Sequence, residues 1–201
     1  PTLDYRAYMI PALMIMLLIM LCGFLPALNM VGEKETGTIE QINVSPVGKF
    51  QFILAKLIPY WVIGFVVLSI SFVLAWLVYG LVPAGNLLTI YAGMALYVLT
   101  VSGLGLLVSN TSDTMQQATF VMMFFMVILI LLSGLFTPIS SMPQWAQDIT
   151  ILNPLKYLMQ VMRLVYLKGS PFSQLTVQFA ALAIFAVVLN LWAVLSYRKN
   201  S

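Results

Sequence analysis

The feature that most constrains this chain is a series of apolar runs, each long enough to cross a lipid bilayer. About 20 consecutive apolar residues span the hydrocarbon core as a helix. A segment surrounded by lipid has no water to satisfy its backbone, so each run is predicted to be a helix. The sequence therefore predicts an all-α, polytopic membrane protein, a single transmembrane domain over 1–201 with five transmembrane helices. The runs lie at roughly 8–30, 56–79, 87–109, 115–136 and 174–197.

The composition agrees with lipid as the solvent of this chain. Hydrophobic residues make up 62% of the sequence and charged residues 7%, whereas an ordinary soluble domain carries about 25% charged residues. The formal net charge of +3 is small and scattered, which argues against a nucleic-acid partner. We therefore expect membrane lipid around this protein and no nucleic-acid partner.

The residues needed for common catalytic and metal sites are scarce. The chain has no histidine and one cysteine, and none of its acidic residues falls centrally in a predicted span. These features predict no metal site, no cofactor and no catalytic residues. The sequence also lacks the GxxxxGK[ST] loop that cradles nucleotide phosphates, so the chain itself is predicted not to hydrolyse ATP. Energy for uphill transport would have to come from a partner.

The basic residues give a prediction of the membrane topology. Five spans place the two ends of the chain on opposite sides of the membrane. The positive-inside rule gives most weight to charges next to span ends, and Lys56, Arg198 and Lys199 are such charges. We therefore expect the 32–49 segment and the C-terminus to be cytoplasmic in a multi-pass protein of the cell membrane.

The connection between the fourth and fifth runs contains two short helical patterns, at roughly 143–152 and 154–167. Asn153 and Pro154 are typical of an N-cap followed by a first helical residue. The second pattern has about 14 residues, hence roughly 21 Å, which is too short to span. Such a helix could lie in the interface, enter the membrane and return, or pack on the surface of the bundle.

The segment GEKETGTIEQINVSPVGK, residues 32–49, concentrates charge between two apolar runs. Its pattern predicts a helix over roughly 31–44, ended by Pro46. At 100° per residue, Glu33, Gly37 and Glu40 fall along one side of this helix. The spacing alone is equally compatible with a docking surface and with a solvated loop helix that only satisfies topology.

The same segment resembles a known family. EKETGTIEQINVSPV is similar to the cytoplasmic signature of type-2 ABC transporter permeases, and two further stretches, SGLFTPISSMPQWAQ and LNPLKYLMQVMR, support the match. The resemblance implies a coupling helix that docks on a separate ABC ATP-binding subunit, and a dimer with a second permease copy or a homologous permease. The implied coupling residues are Glu33, Glu35, Gly37, Thr38, Glu40 and Gln41.

The resemblance also sets an expectation for function. It implies the membrane permease subunit of an ATP-driven exporter of apolar or amphipathic, drug-like or lipid-like compounds in the bacterial inner membrane. Drug-export-like members have an earlier span and an extracytoplasmic domain, which we expect to precede Pro1. A non-transporting scaffold that recruits a cytoplasmic partner through the same loop is the alternative. The residues expected to form an outer gate or interface are Pro143, Trp145, Asn153, Pro154, Tyr157 and Arg163.

Overall fold

The computed structural model describes residues 5–38 and 48–197, and their secondary structure is entirely helical. The prediction of an all-α, polytopic membrane protein is confirmed. The long helices are α1 (Tyr5–Ile19), α2 (Leu25–Glu35), α3 (Lys49–Tyr79), α4 (Leu87–Thr111), α5 (Met115–Leu131) and α8 (Thr176–Ser196). Between α5 and α8 lie the short helices α6 (Gln144–Ile149) and α7 (Pro154–Met162), with 3₁₀ turns at Ile139–Ser141, Thr150–Leu152 and Phe172–Gln174. Two π-helical turns complete the set, π1 (Met20–Phe24) and π2 (Arg163–Leu167).

Four of the described helical segments are long and apolar enough to cross a membrane. They are Met9–Glu35, which runs through α1, π1 and α2, and then Phe50–Tyr79, Leu87–Thr111 and Thr176–Ser196. The exposed side chains of α3 and α8 are mostly large and apolar, including Val62, Ile70 and Leu195. A surface of this kind is compatible with lipid and not with water.

The helix of the fourth predicted span is shorter than the sequence indicated. The run at 115–136 was expected to form one helix, but α5 ends at Leu131. Its 17 residues reach about 26 Å, somewhat less than the hydrocarbon core. The Ser133 hydroxyl donates to the Ile130 carbonyl, and Gly134 adopts a left-handed backbone with φ of 78°. These two residues turn the chain before the apolar run is finished.

The helix predicted at 31–44 also begins differently. Residues 31–35 continue the first spanning helix as the end of α2, and Thr36 caps that helix. Gly37 then has φ of 77°, a left-handed conformation that glycine adopts without steric cost. The remainder of the predicted helix, together with Glu40 and Gln41, lies outside the described residues.

Helix α4 is at the centre of the bundle and packs most extensively against α8. A Cβ atom on Gly103 would lie 3.0 Å from the backbone nitrogen of Asn190, so glycine is what permits this close approach. The Asn190 amide nitrogen donates to the Leu99 carbonyl at 2.7 Å and to the Ala186 carbonyl at 2.8 Å. The asparagine in α8 therefore joins two spanning helices, a common use of amides within membranes.

Candidate functional site

One end of the bundle gathers charged side chains from two helices and one connection between helices. Glu33, Lys34 and Glu35 occupy the end of α2, Lys56 lies in the second turn of α3, and Asp113 lies in the connection between α4 and α5. We call this end of the bundle the polar end. Each of the three α2 residues has a different partner there.

Glu33 is bound to α3. Its carboxylate Oε1 accepts a hydrogen bond from the Lys56 ammonium in an ion pair, and the two side chains are 21% and 29% exposed. The second carboxylate oxygen, Oε2, is buried and has no hydrogen-bond partner among the described residues. Glu33 therefore points into the bundle and is not a freely exposed acid.

Lys34 is bound to the connection between α4 and α5. Its ammonium donates to the Ser112 carbonyl at 2.9 Å and to the Asp113 carboxylate at 2.8 Å. The Ser112 backbone follows the last turn of α4, where carbonyl groups have no helical donor and favour a positive charge. The hydrogen bond from Lys34 and its positive charge lower the pKa of the Asp113 carboxyl from its ordinary value.

Glu35 is bound to the first residue of α5. Its Oε2 accepts a hydrogen bond from the Met115 backbone N–H at 2.9 Å. The first N–H groups of a helix lack acceptors within the helix, and a carboxylate placed there is stabilised by about 0.3–1 kcal/mol. Glu35 is exposed, so water screens part of this effect.

Three consecutive residues thus fix the end of one helix to three others, and we call Glu33, Lys34 and Glu35 the clamp. Consecutive helical residues point about 100° apart, so the clamp covers roughly 200° of the α2 circumference. A movement of the end of α2 would be passed to α3 and to the α4–α5 connection. The clamp is thus a set of polar contacts that ties the end of α2 to its neighbours.

Beyond the clamp the chain turns and becomes exposed. The Thr36 hydroxyl donates to the Gly32 and Glu33 carbonyls at 3.0 and 3.3 Å, and lies 3.1 Å from the Thr38 hydroxyl. Nothing lies within 4 Å of the position that a Cβ on Gly37 would take. The backbone at Gly37 is therefore open to approach from outside, which a contact with another protein requires.

At the opposite end of the bundle, Asn153 and Arg163 hold the short helices against the end of α5. Asn153 caps α7 by accepting from the Leu155 N–H at 2.9 Å, and its amide nitrogen donates to the Leu129 carbonyl at 2.8 Å. The Arg163 Nη2 donates to the Gly134 carbonyl at 2.9 Å. Both side chains thus satisfy carbonyl groups where α5 has ended. The predicted N-cap at Asn153 is confirmed.

The other residues expected at this end have different surroundings. Pro154 is buried as the first residue of α7, and the Tyr157 hydroxyl donates to the Ile151 carbonyl at 3.0 Å. Pro143 precedes α6 and is exposed, and Trp145 is 66% exposed. The six predicted residues therefore divide into an anchoring set and an outward-facing pair, and their role in a gate stays a prediction.

Sequence reasoning missed the partners of the clamp. From the sequence, Lys56 served only to predict the membrane topology, and Lys34 and Asp113 were assigned no role. A signal was available, because five alternating spans place Lys56 and Asp113 on the same side of the membrane as residues 33–35. Opposite charges on one side, each next to a span end, are candidates for pairing.

The fold and the site together define a polytopic, α-helical membrane protein whose polar end is held together by hydrogen bonds and ion pairs. The family model described as "ABC-2 family transporter protein" matches residues 1–195, and the chain belongs to this family. This confirms the resemblance drawn from the charged segment.

Three curated relatives are similar over most of the chain. The identity is 33% over 170 residues with the probable multidrug ABC transporter permease YbhR of Escherichia coli K12, covering 85% of this chain and 46% of that protein. It is 28% over 185 residues with the inner membrane transport permease YhhJ of the same strain, covering 90% and 49%. The probable multidrug ABC transporter permease YbhS, also from that strain, is 26% identical over 171 residues, covering 85% and 45%. The chain thus spans about half the length of these relatives.

Proposed function

We propose that this chain forms the membrane-spanning part of a permease subunit in an ATP-driven exporter of apolar or amphipathic, drug-like or lipid-like compounds. The polar end faces the cytoplasm of a bacterial cell and meets a separate ABC ATP-binding subunit. The C-terminus lies on the same side. The observation that carries this proposal is the clamp, because a permease driven by another protein needs a rigid connection between the docking segment and the spanning helices.

The clamp suggests a division of roles within the charged segment. Gly37, Thr38, Glu40 and Gln41 would supply the surface that meets the ATP-binding subunit. Glu33, with its carboxylate directed at Lys56, would position that surface. Closure of two ATP-binding subunits would then pull on α2, and the polar contacts would pass the motion to α3, α4 and α5.

The opposite end of the bundle fits the release side of such an exporter. Asn153 and Arg163 hold α7 and π2 against the end of α5, so these short elements move with a spanning helix. Movement of α5 relative to its neighbours would open or close a path between them. A second copy of the permease, or a homologous one, would form the other half of the transport path.

The test is to express the full-length permease with a candidate ABC ATP-binding subunit and reconstitute both in lipid vesicles. We expect Glu40→Lys to abolish co-purification of the two subunits, because it reverses the charge of the docking surface. Lys56→Met should preserve co-purification but reduce ATP hydrolysis stimulated by apolar compounds. Lys168→Met, an exposed lysine at the opposite end, is the matched control.

A double-mutant cycle separates the two roles. Because Lys56→Met leaves the Glu33 carboxylate without its counter-ion, adding Glu33→Gln should restore part of the lost coupling. Unchanged co-purification and unchanged ATP hydrolysis in Glu40→Lys would contradict the docking assignment. Co-purification without any stimulated ATP hydrolysis in the wild type would instead support a scaffold that does not transport.

A further inference from the structure

The first spanning helix contains a break in its hydrogen-bond pattern. The π1 turn, Met20–Phe24, separates α1 from α2, and the Leu25 N–H bonds to the Met20 carbonyl five residues earlier. In an α-helix the Cys22 carbonyl would accept from residue 26. That residue is Pro26, which has no N–H. The proline therefore removes the α-helical donor of the Cys22 carbonyl in the middle of a membrane span.

A side chain from α4 replaces the missing donor. The Ser102 hydroxyl donates to the Cys22 carbonyl at 3.0 Å, and Ser102 is 1% exposed. The same hydroxyl oxygen accepts from the Trp61 indole N–H of α3 at 2.8 Å. This relay joins three spanning helices at the π1 turn. An unsatisfied carbonyl in lipid is costly, so the relay stabilises the bend in the form seen here.

The packing of the bundle changes at the same point. Residues of the first span up to Cys22, such as Leu18, belong to the large hydrophobic cluster that includes Tyr97 and Leu158. Residues after the turn belong to two separate, smaller clusters, one containing Met30 and the other Ala27 and Val31. The two halves of the span therefore pack against different stretches of the neighbouring helices, with the boundary at π1.

π1 and α4 approach each other backbone to backbone at two glycines. A Cβ on Gly105 would lie 2.6 Å from the Gly23 carbonyl oxygen, so the two backbones touch without side chains between them. A Cβ on Gly23 would lie 3.3 Å from the Val101 Cβ. Helices that meet without interdigitated side chains can change their relative angle with little steric resistance, because no side chain has to leave a pocket on the other helix.

We infer that π1 is a hinge between α1 and α2, and that the hydrogen bond from Ser102 to the Cys22 carbonyl is its latch. When the latch opens, α2 shifts against its neighbours while α1 keeps its packing in the large cluster. π-helical turns within α-helices frequently mark such sites. The hinge rests on the geometry of the span and does not require the proposed docking partner.

The test is amide hydrogen exchange of the full-length protein in lipid nanodiscs, with Ser102→Ala as the perturbation. Loss of one hydrogen bond corresponds to about fivefold faster opening, and we expect this acceleration in the amides of Leu25–Glu35. Amides of α1 and α8 should exchange at wild-type rates. Ser71→Ala is the control. Among residues 5–38 and 48–197, the Ser71 hydroxyl bonds only to the Val67 carbonyl of its own helix, so its loss should change nothing at π1.

The location of the effect decides the outcome. Faster exchange confined to α2 supports the hinge. Unchanged exchange, or equal acceleration in α1, α2 and α8, would overturn it, since the serine would then be an ordinary packing residue. If Ser102→Ala does not fold, Trp61→Phe is measured in its place. It removes the indole donor while Ser102 keeps its hydrogen for Cys22, and it should accelerate α2 exchange by a smaller factor, with uniform or absent acceleration again contradicting the hinge.

Discussion

Replacement of Asn153 by alanine tests how the short helices are held to the membrane-spanning bundle. Asn153 is 3% exposed. Its side-chain oxygen caps α7, and its side-chain nitrogen bonds to the Leu129 carbonyl of α5. Alanine removes both contacts, and it leaves the Leu155 N–H and the Leu129 carbonyl without these partners.

The expected loss of stability has two parts. Removal of an asparagine N-cap costs about 1 kcal/mol, and loss of an interhelical hydrogen bond in a membrane protein costs about 0.6–1.7 kcal/mol. The sum is about 2 kcal/mol. For a protein of this size each kcal/mol lowers Tm by about 2–4 °C. Asn153→Ala should therefore lower Tm by about 4–8 °C.

Asn86 offers a matched control for the capping part. Its side chain accepts from the Leu88 N–H at 2.9 Å at the start of α4, the same arrangement as at α7, but Asn86 is exposed. We expect Asn86→Ala to cost about 0.5–1 kcal/mol, or roughly 1–4 °C. Asn153→Ser keeps an oxygen that can cap α7 but is too short to reach the Leu129 carbonyl, so its Tm should fall between wild type and Asn153→Ala.

The assay is thermal unfolding of purified protein in mild detergent, followed by the fraction that remains monodisperse. The reasoning would be refuted if Asn153→Ala lowered Tm by no more than Asn86→Ala does. That result would mean that the bond to Leu129 contributes nothing, and that α7 is held by apolar packing alone.

Two further predictions concern the polar end and the hinge. Because Lys34 lowers the pKa of Asp113, the Asp113 carboxylate stabilises the fold above the ordinary aspartate pKa of about 4, and this stability is lost as the pH falls through the lowered pKa. Asp113→Asn and Lys34→Met should each flatten the dependence of Tm on pH between these two pKa values. A retained slope would contradict the pairing. Gly105→Ala should destabilise by about 1–3 kcal/mol, because its Cβ would meet the Gly23 carbonyl at 2.6 Å. Gly48→Ala, whose Cβ would have 3.7 Å of clearance at the N-cap of α3, should cost no more than about 0.5–1 kcal/mol in thermal unfolding.

The spanning helices were predictable because hydropathy is a local property of the sequence. Each apolar run in the described residues corresponds to a helix, and the cap at Asn153 was predictable from residue chemistry alone. The end of α5 was not predictable by hydropathy, because Leu135 and Phe136 continue the apolar run. What ends the helix is the turn at Ser133 and Gly134, a short-range signal that the long apolar window hides.

The arrangement of the clamp was beyond sequence reasoning for a different reason. Glu33 pairs with a residue 23 positions away, Lys34 with one 79 positions away and Glu35 with one 80 positions away. Which charges meet depends on the rotation of each helix about its axis. A pattern of charges between apolar runs shows the side of the membrane, but it does not show that rotation.

The clamp changes where specificity for a partner can reside. An acid that is already bonded within its own chain must lose that bond before it can pair with a lysine or arginine of another protein, so the exchange yields little net affinity. Glu33, paired with Lys56, is in this position. If the segment docks on a partner as proposed, specific recognition would come from residues after the turn at Gly37. In the proposed function, the left-handed glycine would separate two roles that look continuous in the sequence, a fixed contact before it and a docking surface after it.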